Sequence, residues 1–152
     1  MSYFTEHPPK IKRRKPYMSG HNAGQYGHCL LSGHDTADAL ALFVSIIQPG
    51  SSAPFHVHSR EDETFFILSG EMEARVGDEY HTLHAGDCVF LPRGLPHRLA
   101  NMSTEPAEVI MLLHPPALES FFAEMDRLTS TGATGFQVMS EAAARYGVTI
   151  LE

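Results

Sequence analysis

The chain has 152 residues, 43% of them hydrophobic and 19% charged, which is one domain's worth of sequence with enough apolar material for a core. A chain of this size buries roughly 68–70% of its unfolded surface, so neither wholesale disorder nor a staple-dependent miniature fold is expected. The net charge of −7 is unevenly spread. Residues 1–20 hold Lys10, Lys12, Arg13, Arg14 and Lys15 against Glu6, and the rest of the chain carries the whole acidic excess. No nucleic-acid partner is expected, because the acidic remainder repels a polyanion and no interleaved aromatic residues accompany the basic run. Cys29 and Cys88 form no CxxC pair, which excludes a disulfide framework and a cysteine-rich zinc site; both sit beside apolar residues and are expected in the core. The longest nearly apolar run, residues 39–47, is interrupted by Ser45, and the first residues contain no apolar stretch. No membrane span, no secretory signal and a cytoplasmic location are therefore expected.

Residues 1–20 read as a solvated N-terminal arm, with paired prolines, the basic run, then Pro16 and Gly20. Residues 21–115 read as a β-domain. Val, Ile, Phe and Thr cluster over 40–47, 64–68, 71–76, 89–91 and 108–113, with turn residues between the clusters. Short strands at this spacing, with no long helical pattern between them, predict an all-β antiparallel sandwich or barrel. Residues 116–152 read as a helical extension packed on that barrel. Leu118, Phe121, Phe122, Met125 and Leu128 have helical spacing, and a second helix is predicted over 138–146, stopped by Gly147. Phe121 and Phe122 are expected to form the packing face of the first helix.

The chemistry lies in the histidines. His56 and His58 are two apart in an extended segment, so both point to one face of a strand and make a natural chelating pair. Glu63 follows a polar, turn-like stretch. If that turn reverses the chain, Glu63 falls beside His58 on a neighbouring antiparallel strand. Glu61 and Asp62 are rival carboxylates, but a turn position aims them at water. His97 opens another strand after Pro92-Arg93-Gly94. Three neutral imidazoles and one carboxylate suit a divalent transition metal with open coordination positions, whether Fe, Mn, Ni, Co, Cu or Zn. His81 and His84 form an HxxH, but strand positions three apart face opposite sides, so an exposed hairpin pair is expected. His21, His28, His34 and His114 lack partners at useful spacing.

These residues resemble a known family. Gly50-x5-His56-x-His58-x4-Glu63-x6-Gly70 is similar to the first signature of the cupin superfamily, and Gly86-x5-Pro92-x-Gly94-x2-His97-x3-Asn101 to the second. At roughly 5% per position, a chance match to ten fixed residues is on the order of 10⁻¹³, so the signal is specific. The resemblance implies a cupin-type double-stranded β-helix, or jelly-roll barrel, with a metal held in its mouth by His56, His58, Glu63 and His97. The segments from Pro115 to Phe122 and from Ala143 to Val148 resemble the tails of quercetinase-like single-domain cupins. That likeness implies a metal-dependent dioxygenase of a small enolic or phenolic compound. A non-catalytic metal-assisted binder and a metal-dependent isomerase or decarboxylase are the alternatives.

Strand parity refines the pocket. Phe65 and Ile67 share the parity of Glu63, and Leu99 and Asn101 that of His97, so all four are expected to line the substrate pocket. Glu63 is the candidate general base. Unpaired barrel edges predict a homodimer, and Tyr26, His28, Leu30 and Leu31 look suited to pairing outside their own barrel.

Overall fold

The computed structural model describes residues 9–13 and 27–152. Most of the expected N-terminal arm, together with His21 and Tyr26, lies outside the described residues. The remainder folds as two five-stranded antiparallel sheets followed by two short helices. The strands are β1 (His28–Leu31), β2 (Ala41–Ile47), β3 (His56–His58), β4 (Asp62–Ser69), β5 (Glu71–Val76), β6 (Glu79–His84), β7 (Cys88–Leu91), β8 (His97–Ala100), β9 (Ala107–His114) and β10 (Val148–Ile150). The helices are α1 (Glu119–Ser130) and α2 (Phe136–Arg145). One sheet runs β1-β2-β9-β4-β7 and the other β10-β3-β8-β5-β6. The expected all-β barrel with short C-terminal helices is present.

Alternation builds this architecture. On β9, Ala107, Val109, Met111 and Leu113 are buried while the residues between them are not, the signature of a strand with one face on the core. Ile67, Met72, Ala74, Leu91, Leu99, Ala107 and Val109 form one apolar cluster. Ala41, Phe43, Met111 and Leu113 form a second with Leu118, Phe121 and Met125 of the first helical segment and Ala142, Ala143 and Val148. Burying a Leu, Ile or Phe side chain contributes roughly 1.5–3 kcal/mol, so the second cluster anchors the extension firmly to the sheet. Gly70 turns β4 into β5 at φ +78°, and a Cβ there would lie 2.7 Å from the Pro106 carbonyl oxygen. Only glycine meets both demands.

Several expectations need correction. Cys88 and Cys29 are exposed, not core. Cys88 opposes Phe66 across β7 and β4 on the outward face, the parity opposite to buried Leu91. Strand β1 pairs with β2 of its own barrel, His28 opposite Val44 and Leu31 opposite Leu42, so its leucines are used within the chain. The extension is not purely helical either. After Gly147 the chain returns as β10 and pairs with β3, Val148 opposite His58 and Ile150 opposite His56. No helix among the described residues is long and apolar enough to cross a membrane.

Candidate metal centre

Strand β3 carries His56 and His58, and it lies between β10 and β8. His56 sits directly opposite His97 of β8. Cross-strand partners are close, and the two rings lie 4.6 Å apart between centroids. The His58 and His97 rings stack at 5.3 Å. Glu63 reaches the same point by a route the sequence did not predict. Its strand belongs to the other sheet, paired with β7 and β9, so the turn after His58 carries the chain across the barrel instead of reversing it. Glu63 then faces His58 across the interior, with Oε2 3.5 Å from His58 Nε2 and 3.0 Å from His97 Nε2. The four candidate ligand atoms lie within 4.8 Å of one another.

Loop contacts hold this geometry. Gly94 N–H donates to the His58 carbonyl at 2.7 Å, and the Arg93 guanidinium pairs with Asp62 at 2.9–3.0 Å. The loop between β7 and β8 thereby ties the end of β3 to the start of β4. Asp62 is held near 2 by the Arg93 hydrogen bonds, so it is committed to this clamp and not to the cluster. Two rings are oriented by backbone. His56 Nδ1 lies 2.7 Å from the Pro54 carbonyl and His97 Nδ1 2.9 Å from that of Leu95, which directs each Nε2 inward.

The electrostatics favour a cation. Burial, reinforced by the neighbouring rings of His97 and His58, pushes His56 down to about 4, so its imidazole is neutral at pH 7. Burial opposes ionisation of Glu63, but the His97 hydrogen bond and the three surrounding imidazoles hold its carboxyl below the ordinary value. A carboxylate and three imidazoles converging in a buried space are a donor set that fits a divalent transition metal.

The cluster opens into a cavity of about 570 Å³. Phe65 and Leu99 line it, as parity requires. Ile67 and Asn101 do not. Ile67 is fully buried in the apolar cluster below. Asn101 is fully buried and spent on structure: its amide donates to the carbonyls of Ile47 and Glu105, and its oxygen accepts from Ser103. Parity assigns a face but not a depth, and both residues sit too far along the barrel. The sequence reading missed the roof. Leu118, Phe121 and Phe122 of the helical segment and Met139 of α2 line the cavity, with Ser45 and Met111 on its wall. Their helical spacing signalled a packing face, but not that this face covers the barrel mouth. Glu61, expected at the surface, is fully buried beside His58. His81 and His84 are exposed on the β5–β6 hairpin, as expected.

Residues 43–113 match the family described as Cupin domain. Tetracenomycin polyketide synthase protein TcmJ of Streptomyces glaucescens is 31% identical over 71 residues, 47% of this chain and 48% of that protein. Dimethylsulfoniopropionate lyase DddQ of Ruegeria pomeroyi is 41% identical over 73 residues, 46% of this chain and 36% of that protein. A Klebsiella pneumoniae protein with a double-stranded β-helix domain has a crystal structure that superposes with a TM-score of 0.55 at 25% identity. That superposition covers 66% of this chain and 84% of the Klebsiella chain. The chain spans about half the length of the curated relatives it matches. In sequence residues 43–113 are similar to a cupin domain, and in fold the barrel is similar to the Klebsiella double-stranded β-helix.

Proposed function

We propose that the chain is a metal-dependent dioxygenase of a small enolic or phenolic compound, with His56, His58, Glu63 and His97 as metal ligands and Glu63 also the general base. The observation that carries this reading is the character of the cavity around the cluster. Among the described residues that line it there is no lysine and no arginine. A phosphate or a second carboxylate on the substrate would find no cation there besides a metal. An uncharged, largely apolar molecule with one acidic hydroxyl fits, its ring held among Phe65, Phe121 and Phe122. Glu63 sits where it can take the hydroxyl proton, and the apolar side chains of Leu118, Phe121 and Phe122 border the same cavity. When bound, the metal supplies Lewis-acid and redox chemistry for the reaction of the enolate with dioxygen, both of whose atoms end in the products.

The likeness to a protein of polyketide synthesis agrees with such a substrate, because poly-β-carbonyl chains and their cyclised products are enolic and phenolic. The likeness to a lyase favours a second reading, in which the same base serves an oxygen-independent elimination, isomerisation or decarboxylation. Oxygen uptake coupled to product formation, screened with neutral phenols and 1,3-diketones on metal-reconstituted protein, separates the two. Turnover without oxygen uptake establishes the second reading. Binding without turnover establishes a sensor or carrier.

We also propose a homodimer through the outward face of the β1-β2-β9-β4-β7 sheet. Phe66 and Phe90 are 36% and 60% exposed there, and the register sets Phe90 beside Thr64 and Cys88 beside Phe66. Contiguous exposed apolar area on a sheet face is a site of association, and a twofold pairing lets one patch cover itself. Light scattering on wild type and Phe90→Lys tests this: dimer mass for the first and monomer mass for the second is the expected result.

A further inference from the structure

Metal ligation leaves Glu61 unexplained. Its side chain is fully buried, and neither carboxylate oxygen has a hydrogen-bond partner. Oε2 lies 3.7 Å from His58 Nδ1, a ring nitrogen that is itself buried and unpartnered. Arg93, whose charge also senses Glu61, is hydrogen-bonded to Asp62. A lone carboxylate in a dry interior is destabilising unless it meets a donor. Here two unsatisfied groups of complementary chemistry face each other.

The neighbouring rings show what His58 lacks. His56 and His97 each place Nδ1 within 3 Å of the backbone carbonyl two residues before, at Pro54 and Leu95. In both, Nδ1 faces a carbonyl acceptor and Nε2 points into the cluster. His58 Nδ1 has no such carbonyl, and Glu61 stands in its place. The 3.7 Å separation is longer than a hydrogen bond, and a bond there requires a small side-chain adjustment of Glu61.

We infer that Glu61 is the positioning residue for His58: its carboxylate accepts the Nδ1–H, fixes the tautomer with a bare Nε2, and makes that nitrogen a stronger donor to a metal. The inference rests on the cluster being a metal centre. Partners of this kind orient ligating imidazoles, and their loss typically weakens metal binding by about 10–100-fold.

The test uses ¹⁵N-histidine-labelled protein, first free of metal and then titrated with zinc. Glu61→Leu removes the acceptor while filling the space, Glu61→Ala guards against a poor fit of leucine, and Glu61→Gln keeps an acceptor oxygen. Wild type should show His58 as the Nδ1–H tautomer. Leu and Ala variants should lose that fixed tautomer and bind zinc about 10–100-fold more weakly. Metal-free Glu61→Leu should melt lower than Glu61→Gln, since it leaves the buried His58 Nδ1–H without an acceptor. Glu61→Gln should keep the tautomer and recover most of the zinc affinity. Unchanged tautomer and unchanged zinc affinity in the Leu or Ala variant would overturn the inference. So would a lower melting temperature in every variant, Gln included, with the tautomer intact, which is the behaviour of a purely structural carboxylate. If wild type binds no zinc, iron, manganese or nickel, the metal-centre reading fails, and the tautomer measurement alone decides whether Glu61 holds His58.

Discussion

Two histidine pairs in this chain share a metal-binding look and have opposite surroundings. His56 and His58, two apart on β3, turn to one face, and β8 and β4 bring His97 and Glu63 to meet them in the barrel interior. His81 and His84, three apart on β6, have side chains 51% and 65% exposed, and each Nε2 lies 3.4 Å from a surface glutamate, Glu79 or Glu71. The first group is buried and surrounded by donors, while the second is solvated and screened. Spacing within one strand makes a chelating pair possible. Opposing strands bring the remaining candidate donors to the same buried point.

The sharpest way to break this comparison is to remove one histidine from each pair. His58→Ala should lower metal affinity by more than the roughly 10–100-fold that loss of an outer partner causes, because it removes a donor atom itself. His84→Ala should leave affinity unchanged. Elemental analysis and calorimetric titration of both variants check this, and equal losses would mean that the buried cluster is not the metal centre.

A smaller effect on binding, with a large effect on rate, is expected at Glu63. Glu63→Gln keeps the size and one oxygen ligand but removes the base. At full metal occupancy turnover should fall by roughly 10²–10⁴, the usual contribution of a positioned general base. An unchanged rate in the fully metallated variant would remove Glu63 from proton transfer and leave it a ligand only.

The mildest effect is on stability against pH. In the metal-free protein His56 titrates near 4, well below the ordinary imidazole range around 6.5, because burial disfavours its charged form. Between those values the unfolded chain binds more protons than the folded one, so stability falls as pH drops from about 6.5 to about 4. The depressed Glu63 carboxyl acts in the same direction at lower pH still, its contribution present above the unfolded value and lost on acidification. Melting temperatures of metal-free protein should therefore decline from pH 7 to pH 4, and His56→Gln should flatten the curve.

The candidate ligand residues and the barrel were legible in the sequence because both rest on short-range regularities. A period of two on β3 fixes the common face of His56 and His58. Turn residues such as Gly70 and Gly94 announce strand ends, since their positive φ is local chemistry. The helical period from Leu118 onward marks a segment with one apolar face. These features needed no knowledge of which strand lies beside which.

Pairing and depth needed the whole chain. Glu63 reaches His58 from the opposite sheet, a crossing that no local pattern of Ser59 to Asp62 encodes. Glu61 reads as a turn residue by its neighbours, yet it is fully buried beside His58. Ile67 and Asn101 have the parity of cavity residues but lie deeper in the barrel, where one is core and the other holds a loop. Strand β10, too short to register as a strand, exists because β3 offers it an edge. Local sequence sets which face a side chain takes. Which sheet it joins, how deep it lies and what covers it are set by contacts between residues far apart in the chain, such as His56 with His97 and Val148 with His58.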